Sequence, residues 1–291
     1  MPGIFDGISE IFDNWLGLAA DGEFGNGPRL KSRGAAIALS EKGGPLTTQS
    51  QLDAEQVIER AMAILEGNIP EAAWKPARSN WMWEKSLNLA SHNPSQEKTL
   101  EKLTAFLLDS SWVNQIPVCN GLVAGGRADA CRIDLAHRVN DREYELIELK
   151  FGTEENSGSD HPLFAAFEVV QYGLMYLLFR RRHFEQLESH HHLLRANRVR
   201  LIVLAPARWY SFKRRGDPVL TPFRFGWLAD QLSEGLQAYT RSHGIELDLR
   251  VEFQTLSESF LANYDSLLGS IQKFREDAFN SRLTLFGDVN S

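Results

Sequence analysis

Apolar residues fall at helical spacing from the start of the chain. Ile4, Phe5, Ile8, Ile11, Phe12, Trp15 and Leu16 recur every three or four positions, which predicts an amphipathic helix over residues 1–20. Its polar face carries Asp6, Glu10 and Asp13. A helix lying on a membrane surface is more usually basic, so this one is expected to dock on its own core or on a second subunit. Residues 21–52 are rich in Gly, Pro, Ser and Thr and lack periodicity; they read as a linker or arm. Residues 53–291 read as one α/β domain. Val57, Ala61, Ile64 and Leu65 mark a helix from Asp53 to Gly67, followed by an aromatic connection with Trp74, Trp81 and Trp83.

From Ser95 the elements alternate. Leu100, Leu103, Phe106 and Leu107 form one face of a helix. "IPVCNGLVAGG" reads as a strand and a glycine turn. Two alternating segments, Ala128–Val139 and Tyr144–Phe151, flank the turn "NDRE" as a hairpin. A long helix follows over His161–His183, with Pro162 in its first turn. Then come a buried strand at Arg198–Pro206, a helix over Trp227–Ser242, the alternating strand "IELDLRVEFQTL" and a helix near Phe260–Phe279. This order predicts a central mixed sheet flanked by helices, with an N-terminal helical extension.

Composition adds bounds. Of 291 residues, 43% are apolar and 24% charged, as in soluble globular proteins with a sizeable core. Two cysteines, Cys119 and Cys131, give neither a disulfide framework nor a zinc set, so a reducing, cytoplasmic setting is expected. No apolar run is expected to span a membrane, and the N-terminus lacks the basic and apolar regions of a signal peptide. The net charge of −7 hides an asymmetry. Arg180–Arg224 holds eleven basic and three acidic residues, a balance of +8, which leaves −15 on the remainder. A basic segment in an acidic chain suits either a localised anionic partner or a solvated face.

The candidate chemistry lies in the hairpin. Alternation along the strands puts Asp134 on one face of the first, and Glu148 and Lys150 together on one face of the second. β-Propensity favours none of these residues. If the strands pair, two carboxylates and an ammonium share a face. A divalent cation would neutralise the carboxylates, and hard oxygen ligands suit Mg²⁺. The alternative is a surface salt bridge worth about 0–1 kcal/mol. Among the nine lysines, only Lys150 has an acidic residue two positions earlier, so the pattern is no by-product of charge density.

"IDLAHRVNDREYELIELKFG" resembles the core motif of the PD-(D/E)XK nuclease superfamily. Asp134 matches the first acid and Glu148–Leu149–Lys150 the (D/E)-x-K triplet; Ile133 stands where the motif's name has Pro. The resemblance covers Glu97–Pro206. It implies a restriction-endonuclease-like αβββαβ core over residues 95–206. It further implies hydrolysis of nucleic-acid phosphodiesters, expected to be those of DNA, by Mg²⁺- or Mn²⁺-assisted in-line attack of water. Asp134, Glu148 and the Leu149 carbonyl would hold the metal, and Lys150 would position or activate the water. Members often carry an acid on the first helix. Glu97 lies nearer the apolar face than Glu101, and Glu84 is a weaker third candidate. That acid would hold a water of the metal or a second ion. Members also carry a Gln, often Gln-Tyr, on the following helix. Gln171–Tyr172 fits, and Gln171 would steady Lys150 or a phosphate. The alternative is a nuclease-fold module that binds nucleic acid or a protein partner without cutting.

Further residues extend this picture. Arg180, Arg181, Arg182, Lys213, Arg214 and Arg215 are candidates for phosphate contacts. Trp209, Tyr210 and Phe212 interleave with them and suit either base stacking or the edge of a core. His190, His191 and His192 are too closely adjacent to face one ion, so a surface loop is expected. His161 reads as a surface residue opening its helix. A homodimer through the N-terminal helix is an expectation; a membrane is not. No phosphate-binding glycine loop of an NTPase occurs.

Overall fold

The structure is a computed structural model. It describes residues 3–18, 29–46, 52–86, 96–122, 131–151, 161–183, 189–214, 218–256 and 283–284. The helix expected near Phe260–Phe279, positions 123–126 of the predicted strand and glycine turn, and positions 128–130 of the predicted hairpin lie outside these residues.

Six α-helices and eight strands are described: α1 (Ile8–Trp15), α2 (Arg33–Lys42), α3 (Ala54–Asn68), α4 (Gln96–Leu107), β1 (Trp112–Pro117), β2 (Arg132–Asn140), β3 (Glu143–Leu149), α5 (Pro162–His183), β4 (Arg198–Pro206), β5 (Ser211–Lys213), β6 (Leu220–Pro222), α6 (Gly226–Ser242), β7 (Asp248–Leu256) and β8 (Leu283–Thr284). The main sheet runs β1-β2-β3-β4-β7, with β8 a short addition beside β7. β1, β2 and β3 are antiparallel neighbours, whereas β3–β4 and β4–β7 are parallel. α5 and α6 make the crossovers that parallel pairing requires. The chain is therefore α/β, with a mixed sheet flanked by helices, and β4 is apolar and buried along almost its whole length as a central parallel strand should be.

Strand alternation sorts the side chains into two cores. Tyr144, Leu146 and Ala136 join the larger cluster with α1, α3, α5 and α6. Leu135, Ile147, Leu149, Ile202 and Leu204 join a smaller one with Leu100 of α4. α5 is the one described helix long and apolar enough to cross a membrane, but 78% of that window is buried inside the fold. The expectation that no such run exists thus needs correcting; the apolarity belongs to a helix enclosed by its own domain.

The N-terminal region also departs from expectation. The predicted linker contains α2, capped by the Ser32 hydroxyl and ended by Gly43 at φ +69°. Its Ala35, Ala36 and Leu39 are buried, and its Ser40 hydroxyl accepts from the Arg224 N–H at 2.8 Å. Asp13 caps the incoming chain by accepting from the Arg29 and Leu30 N–H groups, both at 2.9 Å. The apolar face of α1 packs on the chain's own core, with Phe12 edge-on to Phe167 of α5 at 5.2 Å. That face is covered by the chain's own core, one of the two dockings expected of it. Small Ala side chains and short Gly-bounded segments hide α2 from periodicity.

The two cysteines are joined: Cys119 and Cys131 form a disulfide with Cα atoms 5.8 Å apart, tying the end of β1 to the start of β2. The sequence placed them twelve positions apart without a framework; the antiparallel β1–β2 pair brings them together.

α3 and α6 meet closely at Gly235, where an added Cβ would lie 2.5 Å from the Ala54 carbonyl oxygen. Backbone cannot yield as a flexible side chain can, so Gly235→Ala is expected to cost about 1–3 kcal/mol. Equilibrium urea unfolding measures it.

Candidate active site

The site forms where the β2–β3 ladder stops. The last described pair is Leu135 with Ile147, and the same register one residue further sets Asp134 across from Glu148. On the other side, the β1–β2 register sets Gln115 across from Asp134. Beyond the last pair, the Leu149 N–H donates to Asp134 Oδ2 at 3.2 Å. The carboxylate thus replaces a ladder acceptor, and the strand ends become a place where side chains from both layers meet.

α5 supplies one wall. The Tyr172 hydroxyl lies 2.6 Å from Glu148 Oε2 and 3.0 Å from the Arg132 carbonyl oxygen. Lys150 Nζ donates to Glu148 Oε1 at 2.6 Å and lies 3.1 Å from Glu168 Oε2. α4 supplies the other wall. Glu97 Oε2 accepts from the Phe151 N–H at 3.2 Å. Lys98 Nζ bridges Glu101 Oε2 at 2.8 Å and Asp134 Oδ1 at 3.0 Å. Glu101 also accepts from the Asn114 and Gln115 side-chain amides, each at 2.9 Å. Asn114 and Gln115 are consecutive, so strand alternation would send them to opposite faces. Gln115 escapes this by adopting φ +55°, and both amides reach the same carboxylate.

The cluster is strongly anionic and enclosed. Five carboxylates (Glu97, Glu101, Asp134, Glu148, Glu168) face two ammonium groups (Lys98, Lys150), with Asp134 and Glu148 only 8% and 5% exposed. Burial pushes Glu148 up to about 8, with the negative charge of Asp134 and Glu168 adding to it and Lys150 opposing. Burial likewise pushes Glu97 up to about 7, against the pull of Lys150. For Lys150, burial disfavours the charge, but Glu148 and Glu168 outweigh it and hold the ammonium protonated.

Asp134, Glu148, Lys150 and Glu97 are therefore brought together, and Glu101, expected to be the poorer candidate, joins from deeper in the fold. Glu84 is exposed and has no described contact with the cluster. Gln171 is half-buried on α5; Glu168 lies against Lys150, and Tyr172 holds Glu148. Sequence reasoning missed Lys98, Glu168, Asn114 and Gln115. One signal was available: Glu168 lies four residues before Tyr172 and so shares its helix face.

The basic candidates separate. Arg180 is buried and donates to the Leu194 and Ala196 carbonyls, each at 2.8 Å. Arg181 pairs with Glu66 and donates to the Tyr239 hydroxyl at 2.5 Å. Arg182 donates to the Ile69 carbonyl at 3.1 Å and lies over the Trp74 ring. All three lie eight to ten residues beyond Tyr172, about 12–15 Å along α5, and they anchor structure rather than the site. Lys213 and Arg214 are exposed, Arg214 pairing with Glu41 at 2.7 Å; Arg215 lies outside the described residues. Trp209, Tyr210 and Phe212 are buried, which settles them as core. His161 is buried too, with Nδ1 accepting from the Phe164 N–H at 3.4 Å. His191 and His192 go to separate partners, the Arg78 carbonyl and the Tyr144 hydroxyl.

Among the described residues, no three His, Cys, Asp or Glu side chains are arranged to hold a metal ion as they stand. The donor chemistry nonetheless fits a hard divalent cation. Asp134 and Glu148 are paired carboxylates on adjacent strands, and the cluster carries more negative than positive charge. Comparison with protein-family models, with curated proteins and with solved structures finds no match for the chain.

Glu97 and Glu148 have folded-state values above the usual 4.5, so the folded chain keeps protons that the unfolded chain releases. Their contribution makes the metal-free protein lose stability as pH rises from about 4.5 to about 8. Thermal unfolding in chelator should show that decline, and Glu148→Gln should flatten its upper part. An equally steep decline in the variant would remove Glu148 as its source.

Proposed function

We propose that the chain is a metal-dependent nuclease with a divergent PD-(D/E)XK core, acting on nucleic acid and most readily on DNA. One observation carries the reading: Asp134 and the Glu148-x-Lys150 triplet converge at the end of the hairpin, with acids from the preceding helix, inside a helix–strand–strand–strand–helix–strand succession. This arrangement supports a restriction-endonuclease-like core, and the enclosure supports chemistry over a surface salt bridge.

Asp134, Glu148 and the backbone carbonyl of Leu149 would hold Mg²⁺ or Mn²⁺. The cation would supply a Lewis acid for the phosphoryl oxygens and a more acidic water. The chain's own residues do the rest. Lys150, locked between Glu148 and Glu168, presents a permanent positive charge and a donor to the attacking water and to charge developing on phosphorus. Glu97, poised near neutrality, accepts or holds a proton beside Lys150. Tyr172 fixes the carboxylate plane of Glu148, and Glu168 rather than Gln171 fixes Lys150. The anionic cluster repels phosphate until a cation is bound, which makes cleavage metal-dependent by electrostatics alone. Lys213 and Arg214, and on α5 Arg181, are exposed candidates for backbone contact.

One observation favours a second reading, a nuclease-fold module that binds nucleic acid or a protein without cutting. Both oxygens of Glu148 and both of Asp134 already accept from internal donors.

Single- and double-stranded DNA incubated with the full chain and Mg²⁺ or Mn²⁺ separates the two. Cleavage is expected, with Lys150→Ala reducing it by about 10²–10⁴-fold while Mn²⁺ binding persists. Undiminished cleavage by that variant would remove Lys150 from the chemistry; no cleavage with intact Mn²⁺ binding would favour the module. Because metal and protons compete for Glu148, Mg²⁺ should raise the melting temperature more at about pH 8 than at about pH 6. Melting curves with and without Mg²⁺ check this.

A further inference from the structure

Lys98 has no part in the reaction outlined above, yet its ammonium bridges two carboxylates of the acidic cluster. It is the third residue of α4, a first-turn position where the helix dipole disfavours a cation. What holds it there is a pair of carboxylates, Glu101 at 2.8 Å and Asp134 at 3.0 Å. Gln115 Nε2 reaches the same two groups, at 2.9 and 3.4 Å, from a backbone at φ +55° that an L side chain rarely adopts. The anionic half of this arrangement is fixed: Glu101 is 1% exposed and is gripped by Asn114 as well. The Lys98 side chain is 34% exposed and sits on a flexible four-carbon stem that reaches in from solvent.

The two oxygens of Asp134 are divided. Oδ2 is committed to the Leu149 N–H, within the strand end itself. Oδ1 is the oxygen left for an incoming cation, and Lys98 covers it. An ammonium and a divalent ion on the same oxygen would repel each other strongly in so enclosed a place. Lys150 cannot relieve this, since it is held by Glu148 and Glu168 on the far side of the pair.

We infer that Lys98 is a built-in counter-ion that closes the metal-free site. It holds Asp134 Oδ1, must swing outward for a divalent cation to bind, and so sets the cation affinity. This rests on the metal-binding reading of Asp134 and Glu148. It explains how so many carboxylates can share a buried site before any metal arrives. It also makes Lys98 a positioning residue rather than a catalytic one.

The test is Mn²⁺ binding to the full, metal-free chain, measured by calorimetry and by the loss of the free-ion paramagnetic signal, with no substrate present. Lys98→Met removes the charge but keeps the length and the helix. It is expected to bind Mn²⁺ about tenfold more tightly than the natural chain. Lys98→Arg keeps the charge and should retain the natural affinity. Circular dichroism and melting in chelator verify the fold, and Lys98→Gln repeats the comparison should Met disturb α4. Unchanged or weaker binding by folded Lys98→Met overturns the inference, the lysine then being a support for Asp134. Absence of Mn²⁺ binding in every variant and in the natural chain overturns the metal reading itself.

Discussion

The antiparallel register of β2 and β3 is the constraint on which the site depends. Leu135 faces Ile147, both in the smaller core, and this places Asp134 beside Glu148. A slip of one residue would turn every side chain of one strand to the other face, putting Leu135 or Ile147 among carboxylates and a carboxylate into the apolar core. The apolar residues of the hairpin therefore decide where its charges stand. The ladder stops where the charges begin, so the freed Leu149 N–H goes to Asp134, and helices on opposite faces both gain access to the strand ends.

The cluster balances burial against neutralisation. A carboxylate withdrawn from water needs hydrogen bonds, a counter-charge or a proton. Asp134 takes an N–H and an ammonium; Glu101 takes an ammonium and two amides; Glu148 takes an ammonium and a phenol. Burial first, and the charge of Asp134 after it, leave Glu97 and Glu148 holding protons towards neutral pH. A second buried polar row crosses the other face of the sheet. Glu145 lies 2.6 Å from Arg200 and 2.9 Å from His137, with Glu252 3.7 Å from Arg200. Glu143 also lies 3.6 Å from Arg200, and the row ties strands together. The row links neighbouring strands, whereas the cluster at the strand ends sets five carboxylates against two ammonium groups.

The sequence carried the succession of elements well where periodicity is strong. β4 has the predicted bounds and α5 begins one residue from them. It failed at α2, where alanines and bounding glycines give little apolar signal, while α1 was legible as an amphipathic helix although its apolar face fits a partner chain or its own core equally well. Cys119 and Cys131 were legible as residues but not as a bond, because proximity came from pairing β1 with β2. Arg180, Arg181 and Arg182 looked like a phosphate-binding run. Helical geometry sends consecutive residues to different sides, and each found a separate internal partner.

The sequence by itself determined which chemistry the hairpin could hold, because alternation along a strand is local and fixes Glu148 and Lys150 on one face whatever surrounds them. It also limited the first-helix acids to a few residues. The tertiary structure alone decided that Glu97 and Glu101 both enter, that Glu168 and Tyr172 hold Lys150 and Glu148, and that Lys98 covers Asp134. Those outcomes depend on the distance and rotation of α4 and α5 against the sheet, which are set by long-range packing of Leu100, the α5 apolar face and the strands beneath them, and no spacing within a single element encodes them.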